Sequence, residues 1–313
     1  MKSICIIIPA YNEEKNIAPI YAEIKKVIAP LTNAYAFEIL FINDGSRDKT
    51  IEEIEKLAQT DPMVKYIDFS RNFGKELATT AGINCCKANA CIMLDSDMQH
   101  PVELIPEFIA KWERGKEVVI GVRRENKSDG WIKKIGSKLF YQIINRITEV
   151  YIVPNATDFR LIDRVVADEF NRFTETNRMT RALIDWLGFK RDYIYFDAND
   201  RLHGTASYSL WKLFKLALNS FVSLSLMPLK LAGYLGIFIT LTAGISGFYI
   251  LLGKYVFRTH FASTFSDAEN LAILILFLVG IILMSIGLLA LYVANIHSEI
   301  INRPMYVIRR KKI

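Results

Sequence analysis

Two aspartates directly after a short apolar run are the clearest chemical feature of the sequence. Asp95-Ser96-Asp97 follows Ala90–Leu94, a run typical of a buried strand. Two carboxylates at positions i and i+2 after a strand can hold a divalent cation, and their oxygens suit Mg²⁺ or Mn²⁺. Gln99, two residues further on, offers a third oxygen. An isolated pair of this kind is usually just a turn, but its place after an apolar run favours a site for a cation and a diphosphate.

Two further polar clusters end the first two apolar runs of the chain. They are Pro9–Glu14 and Asn43–Ser46. Asn12 is a good helix cap and early acids suit the helix dipole, so local structure alone explains part of the first cluster. Local structure leaves Tyr11 unexplained, and an aromatic ring beside a carboxylate at a strand end can hold a base and a ribose. The second cluster is a strong turn signal and has the same two interpretations.

Predicted strands and helices alternate along the first part of the chain. The strands are Ile4–Ile8, Phe37–Ile42, Val64–Phe69, Ala90–Leu94 and Val118–Val122, and the helices are Asn16–Ile28, Ile51–Leu57 and Lys75–Ala88. Short apolar strands that alternate with helices indicate an α/β fold with a parallel sheet covered on both faces. Such sheets bind ligands at the carboxyl ends of their strands. The polar clusters lie at those ends, including Arg71-Asn72 and Arg123-Arg124, so one edge of the sheet is the predicted site.

The composition divides the chain into a charged part and an apolar part. Of its 313 residues, 51% are hydrophobic and 23% are charged; the charges run through residues 1–215, and the apolar excess follows Leu226. The formal net charge is +6, but most basic residues alternate with acids, which is typical of a solvated surface and argues against a nucleic-acid partner. The four cysteines lack zinc-site spacing and are predicted to be buried, reduced thiols.

The C-terminal part predicts a membrane anchor. The segments 231–253 and 271–296 contain no charge, and each is long enough to cross a bilayer core, which predicts a two-helix transmembrane region at 229–297. A buried helical hairpin of a soluble protein is the alternative. Residues 207–228 have the spacing of an amphipathic interfacial helix, although an ordinary surface helix has similar spacing. We expect a basic cytoplasmic tail at 298–313 that anchors to the membrane surface, since the basic flanks predict that both chain ends are cytoplasmic.

An ordered set of five motifs resembles that of family 2 glycosyltransferases of the GT-A fold. The motifs are Pro9–Glu14, Asn43–Ser46, Arg71–Glu76, Asp95–Gln99 and Thr157–Leu161. More narrowly, the chain is similar to the dolichyl- and undecaprenyl-phosphate sugar synthases, including bactoprenol glucosyltransferases. The two apolar segments and the ending Arg303-Pro304-Met305-Tyr306 extend the resemblance over nearly the whole chain. It implies a GT-A catalytic domain at residues 1–206.

The resemblance also implies roles for individual residues. The nucleotide-sugar contacts would be Pro9, Tyr11, Glu13, Asp44 and Asp95. The metal ligands would be Asp95, Asp97 and Gln99. The lipid-phosphate contacts would be Arg123, Lys133 and Ser137, with Arg201 as a further candidate. The catalytic residues would be Asp97 and Asp158, of which Asp158 has a turn carboxylate as its structural alternative.

Two positions depart from the family pattern. Asn43 stands where the family often has Asp, so the nucleoside contact is assigned to Asp44. Ala206-Ser207-Tyr208 replaces the usual Ser-Lys-Tyr, which removes a lysine for which Arg201 or His203 is a substitute. The sequence also lacks the Gln-x-x-Arg-Trp signature of processive polysaccharide synthases.

These observations predict an enzyme that transfers a monosaccharide from a nucleotide-sugar, with UDP-glucose favoured, to a polyisoprenyl phosphate such as undecaprenyl phosphate. The transfer would invert the anomeric centre, require Mg²⁺ or Mn²⁺, and supply lipid-linked sugar for cell-envelope glycans at the cytoplasmic face. The expected partners are the donor, the acceptor and the lipid bilayer, with a homo-oligomer because two spans hardly enclose a lipid path. The alternatives are a processive polysaccharide synthase, which would need more spans, and a non-catalytic membrane scaffold, which the acid pair disfavours.

Overall fold

The computed structural model describes residues 1–124, 153–175, 178–197 and 303–313, together with single residues between 268 and 300. The chain divides into two compact units. The first consists of Met1–Ser207 and Asn302–Ile313, and the second of Tyr208–Ile301. The first unit contains the sheet and most of the described residues.

The described part of the first unit alternates strands and helices. Its strands are β1 Lys2–Ala10, β2 Tyr35–Asn43, β3 Val64–Phe69, β4 Ala90–Met93, β5 Val118–Arg123, β6 Ala156–Asp163, β7 Arg191–Phe196 and β8 Ile308–Lys312. Its α-helices are α1 Ile17–Ile28, α2 Thr50–Thr60, α3 Lys75–Cys85, α4 Ile105–Glu113, α5 Arg164–Asn171 and α6 Thr180–Trp186. Short 3-10 turns lie at Ala29–Leu31 and Val102–Leu104.

The strands form one sheet in the order β7-β5-β6-β4-β1-β2-β3-β8. β1 pairs in parallel with β2 and β4, and β2 pairs in parallel with β3. Side chains of β1 alternate between two cores: Ile4, Ile6 and Ile8 pack under α1, α2 and α4, whereas Cys5 and Ile7 pack under α3. Both faces of the sheet are therefore apolar, which is why its strands read as continuous hydrophobic runs. The prediction of an α/β fold with a mainly parallel sheet is confirmed.

An antiparallel strand, β6, lies between β4 and β5. The sequence analysis did not predict β6, and it considered a turn at Asp158; the structure instead places this residue within the strand. Met93 pairs with Arg160, so the pairing direction brings Asp158 opposite Asp95, just beyond the end of β4. Because β6 runs against its neighbours, its first residues lie at the carboxyl edge of the parallel strands.

The C-terminal residues form an edge strand of the same sheet. Ile308–Lys312 pairs antiparallel with β3, and Asp68 lies opposite Arg310. The sequence analysis expected a basic tail at 298–313, and Ile308–Lys312 of this range forms a strand of the sheet. The Arg310 guanidinium contacts Asp68 at 3.0 Å and Glu55 at 2.8 Å. Pairing also protects the edge of β3, whose free N–H and C=O groups would otherwise be exposed.

The expected interfacial helix at 207–228 and the first apolar segment at 231–253 lie outside the described residues. In the second segment, the single residues that the structure describes are helical. Among all described residues, no helix has the length and apolar character needed to cross a membrane.

The cysteines agree with the sequence prediction. Cys5, Cys86 and Cys91 are buried, Cys85 is half-buried, and all four are free thiols. Cys5 and Cys91 lie side by side on β1 and β4, where they serve as small core residues.

Gly45 allows two loops at the carboxyl edge to approach closely. It has a φ of 64°, and a Cβ built there would lie 2.2 Å from the carbonyl carbon of Arg71. We expect Gly45→Ala to lower the free energy of unfolding by about 1–3 kcal/mol, because the neighbouring backbone must shift. Denaturant unfolding of the purified chain measures this loss.

Gly115→Ala is the matched control for this prediction. Gly115 also has a positive φ, 84°, but no atom lies within 4 Å of a Cβ built there. The control therefore carries the backbone strain without the steric clash. Equal losses of stability in the two variants would contradict the close approach at Gly45.

Candidate functional site

The candidate site is the carboxyl edge of the parallel strands, which the sequence analysis predicted as the site. The loops after β1, β2, β3 and β4 meet there, and β6 begins there. β5 runs in the same direction as β4, so its last residue, Arg123, also lies at this edge. Lys133, Ser137 and Arg201 lie outside the described residues, so their predicted contacts with a lipid phosphate stay predictions.

Asp44 fixes the loop after β3. Its two carboxylate oxygens accept hydrogen bonds from the backbone N–H groups of Phe73, at 2.7 Å, and Gly74, at 2.9 Å. The side chain is buried, and burial raises the pKa of Asp44, although the two backbone hydrogen bonds and Arg71 oppose the shift. Asp44 therefore positions the start of α3. Its predicted contact with a nucleoside stays a prediction.

The contacts of Asn43 explain why this position departs from the family pattern. Its amide Nδ2 donates to the buried carboxylate of Asp68 at 2.7 Å, while its Oδ1 accepts from the Ser46 hydroxyl at 2.5 Å. An aspartate at this position would have no N–H to donate, and it would place two carboxylates side by side in the core. Asn at position 43 therefore matches the acid on the neighbouring strand.

The loop after β1 is held by hydrogen bonds to the loop after β2. The backbone N–H of Asn12 donates to the Ser46 hydroxyl at 3.0 Å, and the Asn12 side-chain oxygen accepts from the backbone N–H of Arg47 at 2.9 Å. The helix-cap interpretation of Asn12 is wrong, because α1 begins at Ile17 and Asn16 occupies its cap position. Asn12 has a φ of 57° and joins the two loops instead.

The other predicted nucleoside contacts lie around this junction. Pro9 is buried within β1, and Tyr11 is 41% exposed at the edge of the sheet. The Glu13 carboxylate accepts a hydrogen bond from the Asn16 side chain at 2.5 Å. A ring exposed at a strand end is free to stack on a base, so the structure is compatible with the role predicted for Tyr11.

A lysine joins the two acids at the centre of the site. The ammonium of Lys75 lies 2.6 Å from Oδ1 of Asp95 and 2.7 Å from Oδ2 of Asp158. Lys75 is the first residue of α3, and Gly74 before it has a φ of 102°. The motif Arg71–Glu76 was part of the family resemblance, but the sequence analysis gave Lys75 no role.

The charges of this triad determine its protonation. Burial alone would lower the pKa of Lys75, but attraction to Asp95 and Asp158 raises it above its ordinary value. Burial alone would raise the pKa of Asp158, but Lys75 lowers it below the usual range, with smaller effects from Arg181 and Arg160. Lys75 is therefore a cation and Asp158 an anion at neutral pH.

Asp97 and Gln99 lie in a tight turn after β4. The Asp97 carboxylate accepts from the backbone N–H of Gln99 at 3.1 Å, and Met98 between them has a φ of 62°. His100 follows, and its Nδ1 accepts from the backbone N–H of Asp95 at 3.3 Å. Burial lowers the pKa of His100, whose ring stacks on Phe159 at 5.3 Å between centroids. The turn that holds the acid pair is thus packed against the core by a neutral imidazole.

A cleft extends from the triad under α6. It is lined by Lys75, Glu76, Thr79, Met93, Asp158, Arg160, Thr180 and Arg181. Arg160 is buried and lies 3.4 Å from Asp185, which supplies its counter-charge. The backbone N–H of Thr180 donates to Glu76 at 2.8 Å and joins α6 to α3. The sequence analysis gave Arg160 and Arg181 no role, because β6 and α6 bring them to the site from distant parts of the chain.

The acid pair fits a divalent cation whose coordination is completed by a substrate. Asp95 and Asp97 offer hard carboxylate oxygens, and Asp95 already attracts the cationic group of Lys75. Within the described residues, no group of three or more His, Cys, Asp or Glu side chains could hold a metal ion. Mg²⁺ commonly uses one or two carboxylates together with phosphate oxygens, so a diphosphate would supply the remaining ligands.

Comparison with known proteins identifies the class to which these features belong. Residues 5–170, more than half of the chain, match the family model described as Glycosyl transferase family 2. The chain therefore belongs to glycosyl transferase family 2, and it is a glycosyltransferase. The resemblance found in the sequence is confirmed.

Individual proteins and a solved structure are also similar to this chain. A protein of Synechocystis sp. named as an uncharacterized glycosyltransferase is 37% identical over 303 residues, which cover 97% of this chain and 93% of that protein. The SfII prophage-derived bactoprenol glucosyl transferase of Shigella flexneri is 34% identical over 307 residues, which cover 98% of this chain and 97% of that protein. The crystal structure of mannosyl-3-phosphoglycerate synthase from Rubrobacter xylanophilus shares the fold, with a TM-score of 0.50 and 13% identity over 69% of this chain and 70% of that one.

Lys75→Met should strengthen the binding of Mn²⁺ in the absence of nucleotide. The ammonium neutralises Asp95, so its removal leaves a carboxylate that attracts a divalent cation, and we expect the Kd to fall by about tenfold. Titration of free Mn²⁺ by electron paramagnetic resonance measures this Kd. Lys111→Met is the control, because Lys111 on α4 pairs with Asp192 at 3.3 Å. An unchanged or weaker affinity in the Lys75 variant would contradict a cation site at Asp95.

Proposed function

We propose that this glycosyltransferase moves a monosaccharide from a nucleotide-sugar, with UDP-glucose favoured, to a polyisoprenyl phosphate such as undecaprenyl phosphate. The observation that carries the proposal is the triad of Asp95, Lys75 and Asp158 at the carboxyl edge of the sheet, beside the turn that holds Asp97. The printed name of the Shigella flexneri relative, a bactoprenol glucosyl transferase of nearly equal length, supports a lipid-linked acceptor.

The reaction proposed is a single displacement. A phosphate oxygen of the acceptor attacks the anomeric carbon, the bond from that carbon to the diphosphate breaks, and the centre inverts. A divalent cation held by Asp95 and Asp97 would neutralise the charge that develops on the leaving diphosphate. Tyr11, Glu13 and Asp44 would hold the nucleoside at the neighbouring loops.

Asp158 suits an orienting role better than that of a general base. A phosphate monoester has a second pKa near ~6, so the acceptor is largely dianionic at neutral pH and needs little deprotonation. The pKa of Asp158 lies below its usual range because of Lys75, which makes its carboxylate a weak base. Its fixed charge instead positions Lys75 and would favour the positive charge that develops on the sugar in the transition state.

The described residues of the second unit support a membrane location. In that unit, the exposed large apolar residues among those described are Leu271, Ile275, Leu278, Ile282, Ile286, Leu289, Val293, Ile296 and Ile300, whereas Ile281, Leu288 and Tyr292 are half-buried. A bilayer, or a second copy of the chain within it, would cover such exposed apolar side chains. We propose that the enzyme lies at the cytoplasmic face of a membrane.

A transfer assay tests the proposal. The purified chain in detergent receives undecaprenyl phosphate, Mn²⁺ or Mg²⁺, and one radiolabelled donor at a time: UDP-glucose, UDP-N-acetylglucosamine, UDP-galactose or GDP-mannose. We expect one donor, most readily UDP-glucose, to transfer label into the organic phase. Asp97→Asn should lower this rate by about 10²–10³-fold, because it removes a charged ligand of the cation that would stabilise the leaving diphosphate.

Two outcomes of the assay would contradict the proposal. Label in insoluble polymer would favour a processive synthase. Absence of transfer from all four donors would contradict the proposed reaction with these sugars. Asp61→Asn is the matched control for Asp97→Asn, since Asp61 is an acid that pairs with Lys25 at 2.8 Å and lies on α2's C-terminal side.

Asp158→Asn separates an orienting role from that of a base. We expect kcat to fall by about 10²-fold with little change in the donor KM, because the lost charge acts mainly in the transition state. The acid limb of the pH–rate profile should stay near pH ~6 in both proteins, since it belongs to the acceptor phosphate. Loss of that limb in the variant would show that Asp158 itself titrates as the base.

A further inference from the structure

The C-terminal segment contacts the scaffold of the candidate donor site. Beyond the pairing of β8 with β3, the backbone N–H of Ser70 donates to the carbonyl of Val307 at 2.9 Å. The Arg309 guanidinium donates to the carbonyl of Ser70 at 2.8 Å. These contacts join the last residues of the chain to the beginning of the loop after β3.

Arg310 makes a contact of a different kind, with a buried carboxylate. Its Nε donates to Oδ2 of Asp68 at 3.0 Å, and the Asp68 side chain is 2% exposed. Burial of a carboxylate costs free energy unless a cation or several hydrogen bonds compensate it. Arg310 supplies the positive charge, and its terminal Nη1 contacts Glu55 on α2 at 2.8 Å.

Hydrogen bonds also connect the Asp68 carboxylate to the loops after β1 and β2, where the nucleoside contacts are predicted. Oδ1 of Asp68 accepts from the Asn43 amide at 2.7 Å, and the Asn43 oxygen accepts from the Ser46 hydroxyl at 2.5 Å. That hydroxyl accepts in turn from the backbone N–H of Asn12 at 3.0 Å. An unbroken series of hydrogen bonds thus leads from Arg310 to the residue that follows Tyr11.

A second route runs through aromatic rings. Tyr306 stacks on Phe69 with 5.0 Å between ring centroids and an angle of 15° between the rings. Phe69 meets Phe73 edge to face at 5.6 Å, and the backbone N–H of Phe73 is held by Asp44. The C-terminal segment therefore reaches the ends of both β2 and β3.

We propose that Arg310 is a positioning residue for nucleotide binding, which rests on the function proposed above. It touches neither the nucleotide nor the reacting atoms. Its guanidinium pairs with the buried carboxylate of Asp68, and Asp68 orients Asn43, which sets the loops beside Tyr11 and Asp44. Without Arg310, the buried carboxylate lacks its charged partner, and a turn of Asp68 toward solvent weakens its hydrogen bond from Asn43.

Binding of UDP in the presence of Mn²⁺, measured by isothermal titration calorimetry on the full chain in detergent, tests this role. We expect Arg310→Gln to raise the Kd by about tenfold. Arg309→Gln is the matched control, because it removes the same side chain from the same strand and loses only a backbone contact. It should change the Kd by less than about twofold.

A second variant distinguishes positioning from loss of the edge strand. In the background of Arg310→Gln, Asp68→Asn removes the buried charge and leaves an oxygen that accepts from Asn43. We expect this double variant to restore the Kd to within about threefold of the original protein, because no buried charge then lacks a partner. If Arg310→Gln does not fold, the Kd of the double variant tests the inference instead.

Three results would overturn the inference. They are unchanged UDP binding in Arg310→Gln, equal weakening by Arg309→Gln, and failure of the double variant to recover binding while its thermal unfolding matches that of the original protein. Failure of the original protein to bind either UDP or GDP is a separate result, and it would contradict the proposed function on which the inference rests.

Discussion

The candidate site depends on one ammonium between two carboxylates. Asp95 and Asp158 come from different strands, and their charges would repel each other if nothing lay between them. Lys75 lies within 2.7 Å of both. Its place is set by the start of α3, which Asp44 holds through the backbone of Phe73 and Gly74. The arrangement of β4, β6 and the loop after β3 is therefore coupled to a single charged group.

The parallel half of the fold could be predicted from the sequence because each strand is buried on both faces. β3 has the predicted bounds, Val64–Phe69, and the acid pair lies at the strand end where the pattern placed it. β6 and β8 were not predicted from the sequence, for a physical reason. Both pair antiparallel with strands distant in sequence, and β8 consists largely of charged residues, IRRKK, whose fit at the edge depends on acids from β3 and α2. The residues of β6 and β8 by themselves do not indicate which distant strands they pair with.

The candidate site shows the same division between local and distant information. Residues at strand ends, such as Asp44 and Asp97, were found because strand ends are visible in the sequence. Lys75 was part of a recognised motif, but its role follows only from the register that sets Asp158 opposite Asp95. Asn43 looked like a lost charge, whereas the structure shows that its amide is matched to the buried Asp68. The departure from the family pattern and the C-terminal strand are thus parts of one hydrogen-bonded scaffold.

Hydrogen exchange followed by mass spectrometry, with and without UDP and Mn²⁺, tests most directly whether the carboxyl edge is the donor site. The account predicts slower exchange in the loops after β1, β2, β3 and β4, around Tyr11, Asp44, Gly74 and Asp97. It predicts unchanged exchange at the opposite edge, where β3 and β4 begin. Protection confined to the opposite edge, or absent from all four loops when nucleotide is bound, would contradict the account.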